Sequence, residues 1–172
     1  MRCKVVSMPS KVSFSVGQSV VYPAHGIGRI ADIEKQIIEN TSLDLFVIFF
    51  EKENMKLKVP FNKASSVGLR PICSREQMKE ALQVFEVPYK PKRMLWSRRA
   101  LKYEAKINSG DVAQIAEVVR DLFCSSIGGK QSYSERLMYQ LALERLVGEY
   151  AAIEGLDEGA AFQRLERVLQ AA

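Results

Sequence analysis

The sequence predicts an α+β protein in two parts, a small β-barrel followed by a compact bundle of about five helices. Three observations carry that expectation. Between residues 14 and 73, apolar and polar residues alternate in short runs broken by Gly, Pro and Asn, the two-residue period of half-buried strands. From Ser74 onward the period lengthens to that of amphipathic helices, and most runs follow a Ser or Asp suited to capping. Charge is also concentrated: residues 90–106 hold seven basic side chains (Lys90, Lys92, Arg93, Arg98, Arg99, Lys102, Lys106) against Glu104 alone, a net of +6 in a 172-residue chain whose total is +5. The remainder is close to neutral.

Residues 1–13 read as a loose N-terminal arm. Ser19-Val20-Val21-Tyr22 is a short strand running into Pro23-Ala24-His25-Gly26, a turn-rich tetrad. Residues 27–34 follow as a second strand, with Ile27, Ile30 and Ile33 among polar neighbours, and Asn40-Thr41-Ser42 breaks the chain. Residues 43–50 are β-branched and aromatic, the strongest strand in the sequence. Residues 51–54 form a hairpin loop, and residues 55–60 alternate Met55, Leu57 and Val59 with Lys56 and Lys58. Five strands in about sixty residues, joined by short turns, suit a barrel of SH3 or Tudor type, an architecture mostly used for binding.

In residues 74–172, Ser74 with Gln77 makes a capping box for a helix over residues 75–85, which Pro88 and Pro91 stop. Ser97 is positioned to cap a second helix that reaches Asn108 and ends at Ser109-Gly110. Asp111 caps a third, with an apolar stripe of Val112, Ile115, Ala116, Val119, Leu122 and Phe123. After Ile127-Gly128-Gly129, Ser132 and Glu135 form a second capping box, opening a long helix with Leu137, Met138, Leu141, Leu146 and Val147 that stops at Gly155. Asp157 starts the last helix, in which Phe162, Leu165, Val168 and Leu169 are expected to face inward.

Composition narrows the function. A hydrophobic content of 47% is enough to bury a core. No run has the length of a signal peptide's apolar region or of a membrane span, so a cytoplasmic protein without membrane contact is expected. Cys3, Cys73 and Cys124 are odd in number and lack any CxxC pair, which indicates neither a disulfide frame nor a zinc site, and no metal or cofactor is expected. An enzyme would have to use Cys73 or Cys124 as nucleophile with His25, the only histidine, as base. With no third orienting group, glycine-rich phosphate loop or paired carboxylates evident, no catalytic residue is assigned.

The basic stretch points to a polyanion, since each phosphate met by Lys or Arg releases condensed counterions. On a helix capped by Ser97, Arg98, Lys102 and Lys106 fall at i, i+4 and i+8, and Arg99 joins them within an arc of about 100°. Lys92 and Arg93 add charge just upstream, while Ala100, Tyr103 and Ile107 share the face that packs on the bundle. Trp96, the only tryptophan, has two readings: a hydrophobic staple on Leu101 before the cap, or a flat side chain that presses against a base step. The charged face has two as well, a solvated helix surface or a nucleic-acid grip.

Four segments resemble the CarD/CdnL-type bacterial transcription regulators: Phe14-Ser-Val-Gly-Gln-Ser-Val-Val-Tyr-Pro-Ala-His-Gly, Lys58-Val-Pro, Trp96-Ser-Arg-Arg, and Ser109-Gly-Asp-Val followed by Ala116-Glu-Val-Val-Arg-Asp-Leu. The resemblance runs from Phe14 to about Leu169. It implies an N-terminal Tudor-like domain, shared with transcription-repair coupling factors, that binds the RNA polymerase β subunit, and a helical domain that binds promoter DNA without reading sequence. It implies that Trp96 wedges into the minor groove at the upstream edge of the transcription bubble and stabilises the open complex, and that Arg98 and Arg99 lie on phosphates. In the barrel it implies that Lys58, with Val59 and Pro60, faces the polymerase. Some members carry an arginine at the position of Gln36, where this chain has only the neighbouring Lys35. A monomer is expected. The competing reading is an architectural DNA-binding protein that needs no polymerase. A further one is an aromatic cage of Tyr22, Phe46, Phe49 and Phe50.

Overall fold

The computed structural model of the chain describes residues 13–90, 93–129 and 131–172. The first half is one five-stranded antiparallel sheet in the order β4-β3-β2-β1-β5, formed by β1 (Ser19–Tyr22), β2 (Gly26–Ile38), β3 (Thr41–Phe50), β4 (Met55–Pro60) and β5 (Arg70–Pro71). Alternation along the strands puts Ile30, Phe46, Ile48, Phe50 and Val59 on one face, where they bury with Phe14, Val20 and Leu69. Each such side chain is worth about 1.5–3 kcal/mol over its exposed state. Phe46 and Phe50 are thereby committed to the core, which leaves no aromatic cage open around them.

Two features of this half differ from the expectation. The break placed at Asn40-Thr41-Ser42 is a two-residue turn at Glu39 and Asn40, whose φ values of 47° and 62° give the left-handed backbone that a tight hairpin needs. Thr41 and Ser42 already pair with Ile38 and Ile37, so β2 and β3 form a longer hairpin than the apolar pattern shows. A four-residue helix, α1 (Phe61–Ala64), also follows β4, with the Phe61 ring stacked on Phe46 at 3.9 Å between centroids. One turn is too short to leave a periodic signal.

The second half is five helices: α2 (Arg75–Leu82, continued by a 3-10 turn, Gln83–Glu86), α3 (Trp96–Asn108), α4 (Val112–Ile127), α5 (Tyr133–Glu154) and α6 (Glu158–Ala171). Both capping boxes close on the expected residues, the Asp111 and Asp157 side chains accept from Ala113 and Ala160 N–H, and Gly155 ends α5 at φ 65°. The core gathers Phe85, Tyr103, Ile107, Ile115, Leu122, Leu146 and Leu165. Some expected core positions lie outside it. On α5 the buried stripe is Ala142, Leu143, Leu146 and Val147, and Leu137 and Leu141 are exposed on another side; on α6 the stripe is Ala161, Leu165 and Leu169, spaced by four, which turns Phe162 and Val168 outward.

The two halves are clasped where β5 meets α5. Arg70 Nη1 and Nη2 donate to both carboxylate oxygens of Glu149, at 2.7 and 2.9 Å, and Arg70 Nε donates to the Gly110 carbonyl at 2.7 Å. Glu149 Oε1 also accepts the Cys73 backbone N–H at 3.0 Å. One turn earlier on α5, Arg145 Nη2 donates to the Ala24 carbonyl at 2.6 Å, and its guanidinium passes so close to Gly26 (φ 85°) that a Cβ there would sit 2.5 Å from Nη1.

Candidate nucleic-acid interface

α3 carries the basic stretch, and it begins one residue earlier than the capping rule suggests. Leu95, at φ −57° and ψ 143°, stands at the N-cap position with no side-chain hydrogen bond, Trp96 is the first helical residue, and Ser97 lies inside the first turn. The Ser97 cap and the Trp96–Leu101 staple are therefore both overturned. Being helical at Trp96 brings its ring to Arg99, three residues on, with the guanidinium carbon 5.6 Å from the ring centroid. Leu101, five residues on, points elsewhere and is 68% exposed.

Trp96 is partly buried against the bundle. Its ring centroid is 6.4 Å from that of Tyr103, and the Arg99 guanidinium lies 5.7 Å from the Tyr103 ring as well, so the three side chains form one cluster. Tyr103 is fixed from behind. Its hydroxyl donates to Asp121 Oδ2 at 3.3 Å, and Asp121 Oδ1 accepts from Arg120 Nη2 at 2.7 Å. Burial pushes the Tyr103 phenol up to about 12.

The expected cationic stripe divides. Arg93, Arg98 and Lys102 are exposed and have no carboxylate within ion-pair distance among the described residues. Arg99 and Lys106 belong to the protein's own pairs: Arg99 Nη1 is 3.7 Å from Glu135 Oε1 with a side chain only 16% exposed, and Lys106 donates to Glu117 on α4. Lys92 lies outside the described residues. Ala100, Tyr103 and Ile107 turn inward as expected, with Tyr103 and Ile107 buried.

Of the barrel residues, Lys58, Val59 and Pro60 lie on β4, and Lys35 and Gln36 lie on β2, with β3 between. β4 is an outer strand of the sheet, paired only with β3 among the described residues. Lys58 opposes Val47 on β3, and its ammonium reaches Glu34 Oε2 on β2 at 2.7 Å. Register places Gln36 on the face of Lys58 and Glu34, whereas Lys35 lies on the opposite face. Lys58 and Lys35 thus do not form one patch. Val59 is buried in the core, and Pro60 is half-buried.

The thiols and histidine do not converge. His25 Nδ1 is 3.0 Å from Glu53 Oε2, while Cys73 sits behind the clasp, where burial and then the Glu149 carboxylate push its thiol up to about 12, the opposite of what a nucleophile needs. Burial raises the Cys124 thiol as well. No helix of the described residues is long and apolar enough to cross a membrane, and none of their His, Cys, Asp and Glu side chains cluster in a set of three fit to hold a metal ion. The clasp itself was missed in the sequence, although Glu149, a lone acid between Leu146-Val147-Gly148 and Tyr150-Ala151-Ala152, is the pattern of a carboxylate with a buried partner.

Residues 14–73 match the CarD-like/TRCF RID domain family, and residues 80–166 match the family described as CarD, C-terminal domain. The chain is also 30% identical over 145 residues to the candidate transcription factor YdeB of Bacillus subtilis (strain 168), a match that covers 84% of this chain and 95% of that protein.

Proposed function

The chain belongs to the CarD family of transcription factors, and from that premise we propose that it binds the RNA polymerase β subunit through its sheet and promoter DNA through α3. Residues 14–73 are the polymerase-binding unit and residues 74–172 the DNA-binding unit, with residues 1–13 an arm outside both. The observation that carries the reading is Trp96 on the first turn of α3, flanked by the exposed cations Arg93, Arg98 and Lys102. Cations position a duplex without reading its sequence, and a flat apolar side chain in a minor-groove step offsets part of the few kcal/mol that unstacking costs. In this role Trp96 opposes re-annealing at the upstream edge of the bubble and stabilises the open complex. Lys58, Val59 and Pro60 lie on β4, an outer strand that offers main-chain groups to a partner strand, and Gln36 on β2 shares the face of Lys58. The protein acts as a monomer, in the cytoplasm and on the nucleoid wherever polymerase takes it.

The test is the lifetime of promoter open complexes formed by the cognate polymerase, at fixed salt, with wild-type protein and with Trp96→Ala. The expected result is a longer lifetime with wild type and loss of that effect in Trp96→Ala, while binding to polymerase persists. Equal lifetimes with the two proteins would sink the wedge. An effect on DNA that persists without polymerase would favour the architectural reading.

A further inference from the structure

We propose that Arg99, although it stands in the basic pair beside Trp96, is the positioning residue for that tryptophan and not a phosphate contact. This rests on the reading of Trp96 as the inserting residue. Arg99 is the one cation of α3 whose guanidinium faces its own protein's aromatic rings, 5.6 Å from Trp96 and 5.7 Å from Tyr103. Glu135 Oε1 approaches it from α5 at 3.7 Å, while Oε2 of the same carboxylate closes the α5 capping box with Ser132 N–H at 2.8 Å. One carboxylate thus ties the start of α5 to the start of α3.

The cluster answers a mechanical problem. Trp96 is the first residue of a helix with no side-chain cap, a place where helices fray. Tyr103 lies two turns deeper, buried and bonded to Asp121, and so provides a fixed floor. The Arg99 guanidinium covers that floor and the indole together, a flat cation on two ring faces, which a lysine ammonium cannot reproduce. Its Nη2 is buried with no hydrogen-bond partner among the described residues. To reach a phosphate, Arg99 would have to leave both rings and Glu135. A tryptophan held in place before it meets DNA loses less freedom on insertion than a loose one.

The experiment uses the full chain, with its single tryptophan as reporter. Arg99→Lys keeps a charge for phosphate but loses the flat face, Arg99→Met keeps the stem and loses the charge, and Arg98→Ala removes an exposed cation for comparison. Circular dichroism confirms that the proteins compared are folded. In the free protein, both Arg99 variants are expected to shift Trp96 emission to the red and raise its acrylamide quenching constant about twofold, since one covering group is gone, and Arg98→Ala to leave both unchanged. On a labelled duplex, Arg98→Ala should lower the slope of log K against log salt by about 0.9, and Arg99→Met should not change it. Wild-type quenching in both Arg99 variants would overturn the proposal. So would a slope lost in Arg99→Met and restored in Arg99→Lys, the signature of a phosphate contact. The open-complex lifetime with Trp96→Ala separates the two readings: if it equals wild type, insertion fails, while the quenching and slope still decide what Arg99 does.

Discussion

Removing the Arg70 guanidinium tests the clasp between the two halves. In Arg70→Met the stem remains, but Glu149, whose side chain is 3% exposed, keeps only the Cys73 N–H as a partner. Truncating one member of a buried pair costs about 3–5 kcal/mol, because the remaining charge is left unpaired. Arg70 is itself 25% exposed, so water can reach the gap and the lower part of that range applies. Against a total stability of about 5–15 kcal/mol, a loss of about 3 kcal/mol is a large fraction. The assay is urea unfolding followed by circular dichroism and by Trp96 fluorescence, which reports the bundle. The double variant Arg70→Met/Glu149→Leu should recover most of the loss, since it buries neither charge. A cost below about 1 kcal/mol for Arg70→Met, the range of an exposed ion pair, would refute the argument.

Two further outcomes follow from the same junction. Gly26→Ala should destabilise the fold by about 1–3 kcal/mol, from its positive φ and the approach of Arg145, whereas Gly128→Ala, with ordinary φ and open space, should be neutral to slightly stabilising; thermal unfolding of the two variants checks this, and equal melting temperatures would contradict it. Cys73 should resist alkylation. With its thiol raised from 9.0 to about 12, the folded chain keeps the proton at pH values where the unfolded chain loses it, so this contribution to stability is complete below pH 9 and is lost as pH rises toward 12. In a Cys3→Ser/Cys124→Ala background at pH 9, iodoacetamide should react on the order of 100-fold more slowly with the native protein than with the urea-unfolded chain, and a difference under about tenfold would count against the assignment.

Local chemistry was legible in the sequence and tertiary pairing was not. Ser74 with Gln77, Ser132 with Glu135, Asp111, Asp157 and Gly155 act within one turn of themselves, so their pattern is complete in a few residues. The strand of residues 43–50 and the loop of residues 51–54 announce themselves in the same way. Ser97 does not cap α3 because a capping residue is only a permission, and the contacts of Trp96 with Arg99 and Tyr103 draw the helix one residue further back. Leu137, Leu141, Phe162 and Val168 face outward against the pattern because a helix that is apolar on several sides does not say which side the neighbours choose. A signal for the Trp96 cluster did exist: Trp96, Arg99 and Tyr103 stand at i, i+3 and i+7, one face of one helix. Glu117 and Glu135, which take up Lys106 and Arg99, come from other helices and carry no such mark.

That division of the cations bears on why the helical half, in the proposed DNA-binding role, would need the other. Counted in sequence, residues 90–106 offer seven positive charges; in the structure Lys90, Arg93, Arg98 and Lys102 are exposed and outside any ion pair among the described residues, and Arg99 and Lys106 are engaged within the protein. On a duplex, these four cations of the described residues would contribute a salt slope of about −4, in keeping with non-specific binding in the usual range of about 10⁻⁴–10⁻⁶ M. Alone, such a surface would be shared among every site on the chromosome. On the proposed reading, a sheet held on polymerase would bring the same surface to promoter DNA at an effective concentration on the order of millimolar, enough to fill a site of that strength. The clasp then matters beyond stability, because Arg70 bonds both to Glu149 and to the Gly110 carbonyl, in the turn that follows α3. It fixes the end of the basic helix to the last strand of the sheet, so that a sheet bound to polymerase would present Trp96 in one direction and not in many.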